Sequence, residues 1–137
     1  TKLVVDASVV LHWLRFQPDN SPARLLRSRY ASGDVLLLAP EHLPLEIGSS
    51  LARQCRRKLV TPDQARTMFQ LFRKLQPVLA PSDAPESVLE LALVHQISFW
   101  DAGYLHLSLV ERCGLVTADA RLYRSIGRVY PNIRLIH

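Results

Sequence analysis

The sequence predicts an α/β fold built on a central parallel sheet with helices on both faces. Three observations carry this expectation. The chain has 137 residues, so residues 1–137 suit one ordinary domain with one core. Short apolar runs alternate with stretches of helical periodicity, the pattern of a parallel sheet with crossover helices. The apolar runs are continuous, as in strands covered on both sides.

The elements follow in order. Residues 3–5 read as a short buried strand ending at Asp6. Residues 8–16 read as a helix that offers Val9, Leu11, Trp13 and Leu14 to the core. Ser21-Pro22 starts a helix, because Ser caps and Pro fits the first helical position; Gly33 stops it. Residues 35–39 form the second strand. Residues 44–58 form a helix with Ile47, Leu51 and Cys55 on one face. Thr61-Pro62 starts another, running to Lys74. Residues 76–80 are extended between prolines, and residues 85–95 are helical. Residues 98–113 form a helix that Gly114 ends. Residues 115–117 are a strand, 118–126 a short helix and 133–136 a last strand. No repeat, low-complexity segment or domain linker interrupts this series.

Composition narrows the function classes. Hydrophobic residues make up 48% of the chain, enough for a core, and aromatics only 7%, so that core should be aliphatic. No run of about 18 apolar residues exists, so no membrane span is expected. Asp6 comes too early for a signal peptide. Cys55 and Cys113 are too few for a disulfide framework or a zinc pattern, and both fall in expected helices as buried free thiols. A reducing compartment, the cytoplasm, is the expectation. The formal net charge of +5 favours an anionic partner such as nucleic acid or an acidic protein.

Four acids stand out by position. Asp6 directly follows a strand, and Asp119 follows another after one residue. In parallel α/β sheets ligands sit beyond the carboxyl ends of the strands. Asp101 lies in the first turn of a helix opened by Ser98, and Glu46 near the start of its helix. Each has an ordinary reading: Asp6 and Asp119 as caps, Asp101 as part of a Ser-x-x-Asp capping pattern, Glu46 on a solvated face with Ser49, Ser50, Arg53 and Arg57. Together, all four belong at one edge of the sheet. Gathered carboxylates repel and raise one another's pKa values, and a cation removes that penalty. An all-oxygen donor set suits Mg²⁺ or Mn²⁺ rather than Zn²⁺. A water bound to such an ion can become a nucleophile.

The surrounding residues resemble a known family. Val4-Val5-Asp6-Ala7-Ser8-Val9-Val10 closely resembles the opening motif of PIN-domain nucleases. Leu45-Glu46-Ile47 with Leu51-Ala52-Arg53 resembles the second motif. Ile97-Ser98-Phe99-Trp100-Asp101-Ala102-Gly103-Tyr104 resembles the third, and Leu115-Val116-Thr117-Ala118-Asp119-Ala120-Arg121-Leu122 the fourth. The four occur in order across positions 4 to 122. The small size looks most like VapC-type toxins of toxin–antitoxin pairs. The resemblance implies a Rossmann-like three-layer α/β/α sandwich. It also implies a ribonuclease that binds Mg²⁺ or Mn²⁺ through Asp6, Glu46, Asp101 and Asp119 and cuts single-stranded RNA. Ser8 and Thr117 match hydroxyl positions that support the site, and both join the substrate-binding candidates. The resemblance further implies a cognate antitoxin and a homodimer, for which the helices between Pro44 and Lys74, with apolar Met68, Phe69, Leu71 and Phe72, are the candidate interface. Trp100 stands where a smaller aromatic is expected, and Gly103 where a bulkier residue is usual.

Other residues carry less. The basic run from Arg53 to Lys58 complements a helix end, but Arg53 and Arg57 share the Glu46 face and are candidates for phosphate contact. His12, His42, His95, His106 and His137 form no metal spacing and read as surface or core residues. Trp13, Phe99 and Tyr104 lie on apolar patterns and read as core. A haloacid dehalogenase-type phosphatase would need an acid where Ser8 stands. A response-regulator receiver would need paired early acids and a late Lys. The remaining alternative is a catalytically silent PIN domain that binds RNA or acts as a scaffold.

Overall fold

The computed structural model describes residues 1–15 and 18–136. Among these, five strands form one parallel sheet: β1 (Lys2–Val5), β2 (Leu36–Pro40), β3 (Val78–Ala80), β4 (Gly114–Thr117) and β5 (Ile133–Leu135), in the order β3-β2-β1-β4-β5. Seven helices flank it: α1 (Ala7–Leu14), α2 (Pro22–Ala31), α3 (Leu43–Arg56), α4 (Pro62–Leu75), α5 (Pro85–His95), α6 (Phe99–Val110) and α7 (Ala120–Ile126). The expected α/β/α sandwich is therefore the observed one.

Winding direction decides which face each helix covers. The chain steps from β1 to β2 to β3, then returns across the sheet to β4 and β5. Right-handed crossovers place α1–α4 on one face and α5–α7 on the other. The packing agrees, since α1 meets α2, α3 and α4, while α5 lies on α6 and α6 on β1 and β2. The reversal falls between β1 and β4, which is where such sheets place their ligands.

Local signals set most boundaries. Ser21 caps α2, and Thr61 opens α4 with a capping box to Gln64. The core is aliphatic, filled by Val4, Val5, Leu37, Leu43, Ile47 and Leu115, with Trp13 inserted whole. Its indole N–H donates to the Ala23 carbonyl at 2.9 Å, so burial leaves no orphan donor.

Several expectations need correction. The sixth helix ends at Val110, short of Cys113. Arg112 turns left-handed at φ 53° and breaks the helix before Gly114. Gly114 instead opens β4, where a Cβ would crowd the Asn132 carbonyl at 3.1 Å. Cys113 thus lies in the short connection between α6 and β4, and both thiols are half-buried. The last helix starts at Ala120 rather than 118. Phe99, read as core, is 41% exposed at the first position of α6. The expected C-terminal end of the first helix, Phe16, lies outside the described residues, as does His137.

The candidate interface on α4 divides by burial. Phe72 is fully buried, Met68 and Phe69 pack against the core, and Leu71 is 39% exposed. Phe72→Ala should therefore destabilise the fold by about 3–5 kcal/mol, the usual loss for a buried Phe. Leu71→Ala should lose about 1 kcal/mol or less in the monomer. Urea unfolding of both variants at low concentration separates a core residue from a surface one, and equal losses would refute this division.

Candidate functional site

The four acids reach the sheet's carboxyl edge from four separate elements. Asp6 follows β1 and caps α1; Asp119 follows β4 and caps α7; Asp101 and Glu46 sit in the first turns of α6 and α3. The N-terminal end of each helix carries partial positive charge, so each carboxylate gains from its own helix. The capping contacts are real: Asp119 accepts from the amides of Arg121 and Leu122 at 2.9 and 3.2 Å. Ser98 accepts from the Asp101 amide at 3.0 Å.

Asp6 is 3% exposed and lies deepest. Its Oδ1 accepts from the Ser8 hydroxyl at 2.5 Å and the Val9 amide at 3.3 Å; its Oδ2 accepts from Thr117 at 2.5 Å. Both hydroxyls also reach the β4–α7 turn. Ser8 accepts from the Ala118 amide at 2.8 Å, and Thr117 from the Asp119 amide at 3.0 Å. Thr117 is fully buried and its hydroxyl is committed on both sides. Its expected contact with substrate is therefore corrected to a support for Asp6. Ser8 is half-buried and holds the same kind of supporting position.

Electrostatics show which acids lie near one another. Burial raises the Asp6 pKa to about 6 against the favourable hydrogen bonds, and the charge of Asp101 adds to the rise. Asp101 is also raised, first by burial and then by Glu46 and Asp119. All four carboxylates are thus coupled through Asp101.

Three further residues enter the site that sequence reasoning left outside it. Tyr104 is fully buried on α6, one turn beyond Asp101. Burial, then the charges of Glu46, Asp6 and Asp101, push its ionisation far above the ordinary range, so its hydroxyl stays protonated beside them. His42 precedes α3, with Nε2 at 3.1 Å from Glu46 Oε1. Its ring lies 5.0 Å from Trp100 and edge-on to Tyr104 at 5.1 Å. Trp100 closes a cleft of about 350 Å³ with Leu45, Glu46, Ser49 and Arg53. Arg53 thus shares a wall with Glu46, whereas Arg57 is exposed at the C-cap of α3. The i, i+3 spacing of Asp101 to Tyr104 and the i, i+4 spacing of His42 to Glu46 were the available signals.

Among the described residues, no three His, Cys, Asp or Glu side chains form a ready-made metal cage. The donor chemistry nonetheless fits a hydrated hard dication, which keeps several waters and takes few direct carboxylates. Glu46 Oε1, His42 Nε2 and the Tyr104 hydroxyl are buried without a partner in hydrogen-bond geometry. They face one another, with His42 Nε2 3.1 Å from Glu46 Oε1 and the Tyr104 hydroxyl interacting with Glu46, so the fit to a dication rests on the carboxylate oxygens and not on these atoms.

The profile of the PIN domain family matches residues 3–127, and the chain belongs to that family. PIN domains are generally nucleases, hydrolases acting on nucleic acid, and typically use divalent metal ions. Among solved structures, PAE2754 from Pyrobaculum aerophilum is similar in fold, with a TM-score of 0.70 at 19% identity. The likeness covers 97% of this chain and 83% of that one. No curated protein matches the sequence significantly. Among the described residues, no helix is long and apolar enough to cross a membrane.

The Asp6 environment makes stability depend on pH. Its folded pKa of about 6 exceeds the ordinary 3.8. Below 3.8 the carboxyl is protonated in both folded and unfolded chains. Between 3.8 and 6 the unfolded chain ionises first, so folding loses on the order of 3 kcal/mol across that window. Asp6→Asn, which keeps the shape without the charge, should be more stable than the parent at pH 7.5 in EDTA. The advantage, roughly 1–3 kcal/mol, should vanish by pH 4. Urea unfolding at both pH values reads it directly; an equal difference at both would contradict the burial argument.

Proposed function

We propose that this chain is a Mg²⁺- or Mn²⁺-dependent endoribonuclease that hydrolyses single-stranded RNA, and that it is the VapC-type toxin of a toxin–antitoxin pair. The observation behind this reading is the electrostatic coupling of Asp6, Glu46, Asp101 and Asp119 at the sheet's carboxyl edge, in a chain of a nuclease family. Asp6, Glu46, Asp101 and Asp119 would hold the ion. When bound, it supplies charge neutralisation at the phosphodiester and acidifies water for attack.

The remaining work falls to the chain's own groups. Ser8 and Thr117 hold Asp6 in place with both oxygens turned to fixed donors. Oδ2 accepts from Thr117, which leaves that oxygen a lone pair for the ion. Arg53, on the wall of the Glu46 cleft, meets a phosphate of the strand; Arg57 continues the same basic line. A chain with 17 Lys and Arg against 12 Asp and Glu attracts RNA and an acidic antitoxin alike. The toxin reading carries with it the cytoplasm, a cognate antitoxin and a homodimer through the α3–α4 region.

The deciding experiment is cleavage of end-labelled single-stranded RNA. The protein should cut with Mn²⁺ or Mg²⁺ and not in EDTA, leaving a 5′-phosphate and a 3′-hydroxyl. Asp101→Asn should lower the rate by at least about 100-fold, beyond the usual effect of a residue that only orients a ligand. Cutting that survives EDTA, or ends bearing 2′,3′-cyclic phosphate, would overturn the reaction proposed.

Arg53→Glu should weaken RNA binding and lower the salt slope by about 0.7, one lost contact to a single strand. Mn²⁺ affinity should stay unchanged, because carboxylates hold the ion. A variant that loses Mn²⁺ and keeps its salt slope would make Arg53 a partner of Glu46 instead.

A further inference from the structure

Beside the acidic cleft lies a second cavity of about 500 Å³, with Glu41, His42, Val88, Phe99, Trp100 and Gly103 in its lining. Trp100 and Leu45 belong to both linings, so the two spaces adjoin. The aromatic wall is open to solvent, with Trp100 49% and Phe99 41% exposed. Their rings stand edge to face at 5.9 Å. Large aromatics left this exposed at a helix start do little for the core.

We propose that this cavity receives one unstacked nucleobase of the bound strand, stacked on Trp100, while a neighbouring phosphate lies in the acidic cleft. The inference rests on the nuclease reading for its ligand. Two features of the surface choose a nucleic acid over an apolar protein segment. The cavity adjoins a cleft lined by both Arg53 and the Glu46 carboxylate, a charge arrangement that suits a phosphate held by a base beside a cation-binding acid. Its volume is also within the range of small-ligand sites, about 300–1,000 Å³, and its wall is a flat π-face. A strand that places its phosphate against Arg53 meets Trp100 next.

Gly103 is what opens the floor. A Cβ there would stand 2.6 Å from His42 Cε1, so a side chain and the His42 ring cannot share the space. With glycine, the His42 ring tucks beneath Trp100 at 5.0 Å. The two positions where this chain departs from the family pattern, 100 and 103, therefore line one cavity.

Tryptophan fluorescence tests the proposal without catalysis. The chain has two tryptophans, and Trp13 is buried at 1% exposure, so Trp100 reports on the cavity. The wild-type protein with Ca²⁺ is titrated with 5′-phosphorylated triadenylate and with the same backbone lacking its bases. The intact trinucleotide should quench Trp100 and the abasic one should not; Trp100→Phe should abolish the quench. Trp100→Ala should raise the Kd for the intact trinucleotide about tenfold, in line with the loss of one stacked base. Equal response to the abasic strand, or no quench at all, overturns the pocket. Capture of an antitoxin segment there, with no response to the trinucleotide, overturns it equally. Quenching without metal-dependent cleavage sinks the nuclease reading and leaves the base pocket standing. Cleavage without quenching does the reverse.

Discussion

At the end of β1, the Asp6 carboxylate is held out of water, and the backbone around it is arranged to make that tolerable. Desolvation outweighs three hydrogen bonds in its balance, which is why its pKa stays high. Ser8 and Thr117 each donate a hydroxyl to the carboxylate and accept a backbone amide in return. Those amides belong to Ala118 and Asp119, in the turn that follows β4. The acid at the end of one strand thereby fixes the path of the chain leaving the next. That path puts Asp119 at the N-cap of α7. A residue at 8 or 117 must donate and accept at once, which a hydroxyl does and a methyl cannot.

The same geometry explains why capping and site readings of the acids are not rivals. A helix start has spare amides and partial positive charge, so an acid there is locally stable before any ligand arrives. Four such starts lie at the edge where the sheet reverses its winding, and there Asp101 couples electrostatically to the other three acids. That placement was legible in the sequence because strands, caps and order along the chain are all local signals. Element existence was legible for the same reason: Ser21, Ser98 and Thr61 cap the helices they were expected to open.

What local signals could not carry was contact between distant elements. His42 reads as an ordinary polar residue because its neighbours Trp100 and Tyr104 come from another helix, 58 and 62 positions on. Phe99 and Tyr104 share one apolar pattern, yet Phe99 opens α6 and is exposed while Tyr104, a turn and a half further on, is sealed. Arg112 adopts the left-handed conformation without being glycine, and propensity alone places the end of α6 too late. In the sequence Thr117 is a candidate to support the site or touch substrate, and only the parallel pairing of β4 with β1 buries it beside Asp6.

Gly103 shows how an unfavourable local choice follows from the tertiary arrangement. Glycine inside a helix costs about 1 kcal/mol relative to alanine. At this position the alternative is worse, because a Cβ would meet the His42 ring at 2.6 Å. The ring cannot simply withdraw, since Trp100 and Tyr104 flank it and Glu46 faces its Nε2 at 3.1 Å. His42 is therefore a spacer between α3 and α6 as well as a neighbour of the acid. It packs against Gly103, Trp100 and Tyr104 of α6 on one side and Glu46 of α3 on the other. A missing side chain on α6 thus makes room for the ring that meets Glu46, a carboxylate on another helix.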